Sequence, residues 1–146
     1  MIAPSVAKRS TPHETPWAPH LVAAEEALAR QDLRAAVRAW DEAHLAAVGS
    51  LRWDGLIEVG DVYVRIGQVR GPRDTARATA RRAYFAALFR ACQHDSIDGI
   101  LRAAEAFAAL GDRQIVEECM GLAELIADDA PGRARVAAVA QRLVEV

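Results

Sequence analysis

The amino-acid sequence lacks the features of membrane proteins and of disulfide-rich proteins. It has 146 residues, of which two are cysteines, and its aromatic fraction is 5%. No apolar run approaches the roughly 20 residues that a transmembrane helix needs. No run shows the period-two alternation of β-branched residues that predicts a strand. What is abundant instead is alanine, which has the highest intrinsic helix propensity. The sequence therefore predicts an all-α fold.

The sequence shows no sign of secretion. Lys8 is the only lysine and asparagine is absent, a bias that we interpret as that of a GC-rich bacterial gene. No apolar segment follows Lys8 and Arg9, so no signal peptide is predicted. Cys92 and Cys119 are expected to be reduced thiols rather than a disulfide. The predicted location is the bacterial cytoplasm.

Motifs for catalysis and for metal binding are missing from the sequence. It contains no nucleophile elbow, no phosphate-binding loop and no dinucleotide-binding glycine pattern. Among the four histidines there is no His-x-x-x-His spacing. Cys92 and His94 are two residues apart, so on a helix they point in different directions. We therefore expect a protein that is not an enzyme and that has no metal and no cofactor.

Apolar residues recur at helical spacing after a proline-containing start. Residues 1–16 are predicted to be a flexible tail, and Trp17 is expected to fix its end to a single domain over residues 17–146. Gly49 and Gly67 are expected to end two of the helices. Side-chain N-caps are predicted at Asp32 and at Asp95 or Ser96. The predicted helices span about 19–30, 33–48, 52–66, 72–93, 96–110, 113–127 and 133–144.

One short pattern occurs three times, at a spacing of roughly 35 to 45 residues that is typical of stacked helical hairpins. Each copy has a small residue, an apolar or aromatic residue, a turn, and then a trio of helix-packing residues in the next helix. The first copy is Ala24, Ala27, Gln31, Ala36, Trp40 and Ala43. The second is Gly60, Tyr63, Gly67, Ala80, Tyr84 and Ala87. The third is Ala104, Phe107, Gly111, Val116, Met120 and Ala123.

This pattern resembles tetratricopeptide repeats (TPRs) over roughly residues 18–128. The resemblance implies an α-α superhelix of about three stacked antiparallel hairpins, with a C-terminal helix that caps the exposed end. The first copy lacks the aromatic residue and the turn glycine, the second has extra residues between its helices, and the third has Val116 at a small position. The alternative is a compact helical bundle with a small-molecule-binding or enzymatic role.

The resemblance also implies a concave groove, lined by the first helix of each hairpin. The residue after the small position would face this groove, and it is acidic in every copy. The implied groove residues are Glu25, Asp54, Asp61, Arg65, Asp98 and Glu105. Such an acidic stripe, interrupted by Arg65, favours a basic peptide or protein partner. The expected function is that of an adaptor, assembly factor or chaperone, although a solvated polar face with no partner is the alternative interpretation.

Arginines cluster near the start of the fourth predicted helix. They are Arg70, Arg73, Arg77, Arg81 and Arg82. A nucleic-acid-associated regulator could use such a basic patch on phosphates. No aromatic residues are interleaved and the formal net charge is −2, so a solvated face or a contact with a second copy is the preferred interpretation. A homodimer is a further possibility, because three repeats leave exposed ends.

Overall fold

The computed structural model describes residues 15–69 and 73–144, and these form seven α-helices. The helices are Ala18–Ala29 (α1), Leu33–Ser50 (α2), Trp53–Val69 (α3), Arg73–Gln93 (α4), Ile97–Ala109 (α5), Arg113–Ile126 (α6) and Ala130–Val144 (α7). The described residues contain no strand, so the predicted all-α fold is confirmed. Outside the described residues lie residues 1–14 of the predicted tail, and Arg70 of the predicted basic patch.

The helices pair into three hairpins that stack side by side. α1 packs on α2, α3 on α4, and α5 on α6, while α2–α3 and α4–α5 contacts join one hairpin to the next. α1, α3, α5 and α7 also contact one another in series. These four odd-numbered helices therefore form one layer, and α2, α4 and α6 form the other. The last helix, α7, packs on α5 and α6 and caps the third hairpin.

Residues of the threefold sequence pattern fill the space between the helices. Its small residues are buried where helices touch: Ala24, Ala36, Ala43, Ala80, Ala87, Ala104 and Ala123. Among its large residues, Trp40, Tyr84 and Phe107 are buried in the same core. The Trp40 Nε1 atom donates to the Val59 carbonyl at 2.7 Å. Close helix contacts and buried aromatic rings thus coincide with the repeated positions, because small residues admit a neighbouring helix and large ones fill the remaining volume.

The turns between helices follow local rules that the sequence indicates. The Asp32 carboxylate accepts the Ala35 N–H at 3.1 Å, and the Ser96 hydroxyl accepts the Gly99 N–H at 3.0 Å. An N-cap is therefore confirmed at Asp32, and Ser96 rather than Asp95 is the cap of α5. Gly111, between α5 and α6, has a φ of 81°, the left-handed conformation that glycine adopts without steric cost.

Both predicted glycine helix stops are wrong. α2 continues through Gly49, and Leu51 takes the left-handed conformation after its end, with a φ of 62°. α3 continues past Gly67 to Val69. Gly67 serves interhelical packing instead, since a Cβ atom there would lie 2.2 Å from the Cβ of Ala76. α3 and α4 can approach this closely only because Gly67 has no side chain.

The predicted start of the last helix is also wrong, by three residues. α7 begins at Ala130, so Pro131 and Gly132 lie in its first turn rather than before it. Proline is accepted there because the first N–H groups of a helix have no partner within the helix. The Asp129 carboxylate accepts the Gly132 N–H at 2.7 Å and thereby caps the first turn of α7.

His44 is expected to make the stability of the fold depend on pH. Its ring stacks on Trp40, with ring centroids 4.9 Å apart. Burial lowers the pKa of His44 below its ordinary value; nearby Asp41 opposes this effect, and Arg82 adds to it. Because the unfolded chain then binds this proton more readily, the free energy of unfolding should fall as pH drops from about 7 through the unfolded pKa of about 6.5, and level off below the folded pKa.

Urea denaturation between about pH 7 and pH 5 tests this expectation. His44→Gln should show a weaker pH dependence than the wild type over that range. His94→Gln is the matched control, because His94 is exposed. An unchanged slope in His44→Gln would contradict the assignment.

Candidate partner-binding surface

The solvent side of the odd-numbered helices carries most of the predicted groove residues. We call this surface the odd-helix face, and define it by Glu25, Asp61, Arg65, Asp98, Arg102, Glu105, Arg135 and Arg142. The side chains of these eight residues are between 34% and 65% exposed. Asp54 lies in the first turn of α3, where Arg52 pairs with it at 2.6 Å.

Arginines bridge the acids of the first two repeats to the next odd-numbered helix. Arg65 of α3 pairs with Glu25 of α1. Arg102 of α5 lies 4.0 Å from Asp61 of α3. Both pairs are substantially exposed, and exposed ion pairs contribute about 0 to 1 kcal/mol each. They therefore hold the stacked helices together only weakly.

The same arrangement continues between α5 and α7. Arg142 of α7 lies 3.1 Å from Glu105 of α5, and Arg135 pairs with Asp98. Glu105 also has Arg102 of its own helix at 3.7 Å. Every carboxylate of the odd-helix face therefore has an arginine partner.

Three of the four arginines on this face, Arg102, Arg135 and Arg142, were not among the predicted groove residues. Arg102 had a signal, since it lies four residues after Asp98 and three before Glu105, a spacing that places all three on one side of a helix. Arg135 and Arg142 had none, because α7 lies outside the threefold pattern. Arg102, Arg135 and Arg142 thus lie among the predicted groove acids in addition to Arg65.

Charge along the odd-numbered helices changes from acidic to basic. α1 has two acids and no arginine, α3 has three acids and one arginine, and α5 has two acids and one arginine. α7 has three arginines and no acid. The acidic character that the sequence predicted is concentrated over α1 and α3, while the surface beside α7 attracts negative charge instead.

A groove runs between α1 and α3 at the acidic end of the face. It is lined by Ala18, Leu21, Val22, Glu25, Glu58, Asp61, Val62 and Arg65. Val22 is 55% exposed, so the lining includes accessible apolar surface. The lining contains three carboxylates and one guanidinium group. This α1–α3 groove thus combines apolar contact area with excess negative charge.

Trp17 fixes one end of the α1–α3 groove. Its ring is fully buried and lies against Gly55 of α3, where a Cβ atom would be 2.6 Å from the ring. The Trp17 Nε1 atom donates to the Glu58 carboxylate, a groove residue. The Arg52 guanidinium lies over the ring, 5.2 Å from its centroid. The prediction that Trp17 fixes the end of the tail to the fold is confirmed.

Asp61 lies on the odd-helix face and is also hydrogen-bonded to a residue of the core. Its carboxylate accepts the hydroxyl hydrogen of Tyr84 at 2.6 Å. Burial, together with the hydrogen bond and charge of Asp61, raises the pKa of Tyr84 far above its ordinary range. The phenol is therefore a permanent donor at any ordinary pH, and removal of the Asp61 carboxylate would leave the hydroxyl of this buried residue without its partner.

A second recess lies at the basic end, between α5, α6 and α7. It has a volume of about 670 Å³ and is lined by Glu105, Ala108, Ala109, Gly111, Arg113, Val116, Glu117, Arg142 and Leu143. Its surface is more apolar than polar, although four of the lining residues are charged. Its volume lies in the range of small-molecule sites, which is about 300 to 1,000 Å³.

The predicted basic patch is partly used within the fold. Arg77 donates to the Leu110 carbonyl at the end of α5, and Arg81 pairs with Asp112 at 2.6 Å. Both arginines thus hold the turn between α5 and α6. Arg82 lies 3.4 Å from the Thr79 hydroxyl, and Arg73 is exposed at the start of α4.

The two cysteines are free thiols. Burial, with smaller contributions from Cys92 and Glu118, raises the pKa of Cys119 to about 12. Burial and the charge of Asp95 also raise the pKa of Cys92. Because the thiolate is the reactive form, both thiols are poor nucleophiles at neutral pH.

No family model, no curated protein and no solved structure matches this chain. The surface is therefore interpreted from its own residues. Within the described ranges, no three His, Cys, Asp or Glu side chains gather closely enough to hold a metal ion. None of the described helices has the length and apolar character that crossing a bilayer requires.

Proposed function

We propose that this chain is a non-catalytic TPR-like interaction module that binds a peptide or protein partner on the odd-helix face. The observation that carries this proposal is the uncovered layer of α1, α3, α5 and α7, whose solvent side contains the α1–α3 groove. Stacked hairpins of this kind are suited to extended binding surfaces. The chain would act as an adaptor, assembly factor or chaperone in the bacterial cytoplasm, where free thiols stay reduced.

Charge on the face indicates the chemistry of the partner. Carboxylates exceed arginines in the α1–α3 groove, whereas α7 carries only arginines. A partner segment with basic residues over α1 and α3 would be attracted, and acidic residues would fit beside α7. Because the surface ion pairs are weak, such a segment would exchange its charges with those of the face.

A capture experiment with charge-reversed variants tests this function. Tagged wild-type chain and a Glu25→Lys, Glu105→Lys variant would each be used to recover partners from the lysate of the source cell. Once the captured protein is identified and purified, its affinity for the variant should be lower than for the wild type by about tenfold or more. A tenfold loss corresponds to about 1.4 kcal/mol. Asp61 is left unchanged, because its reversal would also remove the partner of Tyr84.

The matched control is Glu42→Lys, Glu124→Lys, which changes the same net charge on the exposed surfaces of α2 and α6. This control should bind the partner as the wild type does. Circular dichroism would verify that all forms are folded. Equal losses in the two double variants would show that only net charge matters, and would remove the odd-helix face as the site.

A second candidate function is small-molecule binding in the recess between α5, α6 and α7, favoured by its volume of about 670 Å³. A thermal-shift screen would reveal a ligand as a rise in Tm. Leu143→Trp, which adds a large ring to the recess lining, should abolish that rise. A Tm increase that persists in Leu143→Trp would place the ligand elsewhere.

The predicted homodimer and the nucleic-acid alternative stay predictions. Large apolar residues are exposed on the even-numbered helices, with Leu45 at 69%, Phe89 at 62% and Leu125 at 84%, and a second copy could cover them. The nucleic-acid alternative is weakened because Arg77 and Arg81 are engaged with the turn between α5 and α6.

A further inference from the structure

The α1–α3 groove ends where residues 1–14 join the described structure. The Thr15 carbonyl accepts the Ala18 N–H at 3.0 Å, and Ala18 is part of the groove lining. Two residues after Thr15, the buried Trp17 ring lies against Gly55 of α3 and is hydrogen-bonded to Glu58 of the groove. The segment that precedes Thr15 therefore starts at the end of the groove.

The charges of this segment and of the groove are opposite. The groove lining contains Glu25, Glu58 and Asp61 against Arg65 alone. Residues 1–14 contain Lys8 and Arg9 against a single acid, Glu14. A short tether gives an effective concentration in the millimolar range, which would fill a site whose dissociation constant is below about 1 mM.

The lengths are compatible with contact along the whole groove. Ala18 and Glu25 are seven residues apart on α1, which corresponds to roughly 10 Å of helix rise. Lys8 lies seven residues before Thr15, and extended chain of that length reaches up to about 23 Å. Lys8 and Arg9 can therefore reach Glu25 and Asp61 with chain length to spare.

We propose that residues 1–14 occupy the α1–α3 groove of their own chain, with Lys8 and Arg9 beside its carboxylates. The segment is then a tethered competitor for the basic part of a partner. The docking itself follows from position, charge and length, whereas the competitive role rests on the proposed partner-binding function. A partner must displace the segment, so its affinity is reduced by the fraction of chains in which the groove is filled.

Paramagnetic relaxation enhancement in the full chain tests the docking. A spin label would be attached to Ser10→Cys in a Cys92→Ser, Cys119→Ala background, with circular dichroism to verify folding. Amide signals of residues 21–25 and 58–65 should lose intensity strongly, while those of α7 should not. High salt, which shortens the range of electrostatic attraction, should restore the lost intensity.

Matched variants separate specific docking from proximity. The double variant Lys8→Glu, Arg9→Glu should restore the signal intensity of residues 58–65. The double variant Ser5→Glu, Thr11→Glu adds the same number of acids but keeps both basic residues, so it should restore less of that intensity. A sample that mixes spin-labelled chain with isotope-labelled chain detects docking into a second copy. Signal loss in that mixed sample, or a loss unaffected by Lys8→Glu, Arg9→Glu, would overturn the proposal.

Capture of the identified partner distinguishes this proposal from the proposed function. If the segment docks and competes, Lys8→Glu, Arg9→Glu should bind the partner more tightly than the wild type. Partner binding on the odd-helix face without signal loss in the groove would overturn the docking and leave the function in place. Signal loss without any partner bound on that face would support the docking and contradict the function.

Discussion

Replacement of Phe107 by alanine is expected to lower the free energy of unfolding by about 4 kcal/mol. Phe107 is fully buried in α5 and belongs to the third copy of the sequence pattern. Its ring contacts Phe85 and Tyr84, with centroids 4.8 Å and 5.8 Å away. Alanine would remove these contacts and leave a cavity between α4 and α5. Urea denaturation followed by circular dichroism measures the loss.

Phe89→Ala is the matched control, because the substitution is the same and Phe89 is 62% exposed on α4. Its effect should stay within about 0.5 kcal/mol. The comparison separates burial from residue type. Similar losses for Phe107→Ala and Phe89→Ala would mean that the ring between α4 and α5 is not the core contact described above.

Gly60→Ala is expected to destabilise the fold by about 2 kcal/mol, although alanine has the higher helix propensity. A Cβ atom at Gly60 would lie 2.4 Å from the Cε1 atom of Tyr84. The Tyr84 ring cannot easily move aside, since its hydroxyl is bonded to Asp61 at 2.6 Å. α3 and α4 would have to separate. The midpoint of urea denaturation should therefore shift to a lower concentration.

Gly121→Ala is expected to stabilise the fold, in contrast to Gly60→Ala. Gly121 is an exposed residue inside α6, and nothing lies within 4 Å of the position that its Cβ atom would occupy. The free energy of unfolding should rise by about 1 kcal/mol, the propensity difference between glycine and alanine. A loss of stability in Gly121→Ala, or a gain in Gly60→Ala, would contradict the packing described for these helices.

Surface ion pairs across the odd-numbered helices relate the fold to its proposed function. Arg65, Arg102, Arg135 and Arg142 each pair with an acid on a neighbouring odd-numbered helix. Buried rings and close helix contacts hold the stack together, whereas these exposed pairs contribute little. The charges of the face are therefore available for partner recognition at small cost to stability.

Helix boundaries show where sequence rules succeed and where they fail. Asp32 and Ser96 were predictable because a capping side chain acts on backbone groups within three residues. Gly49 was misassigned because Leu51, two residues later, takes the left-handed conformation that ends α2. Gly67 was misassigned because it is needed for close packing between helices. At Gly67 the neighbour is Ala76 of α4, which local sequence cannot indicate.

By itself, the sequence determined the all-α class, the number of helices, and the small and large residues that pack between them. These features follow from helix propensity and periodicity, which act over a few residues. Only the tertiary structure decided the charge pattern of the odd-helix face. Arg135 and Arg142 meet Asp98 and Glu105 because α7 docks on α5, and that contact depends on the packing of residues far apart in the chain. For the same reason the α1–α3 groove, at whose end Trp17 is buried, became apparent only in the folded molecule.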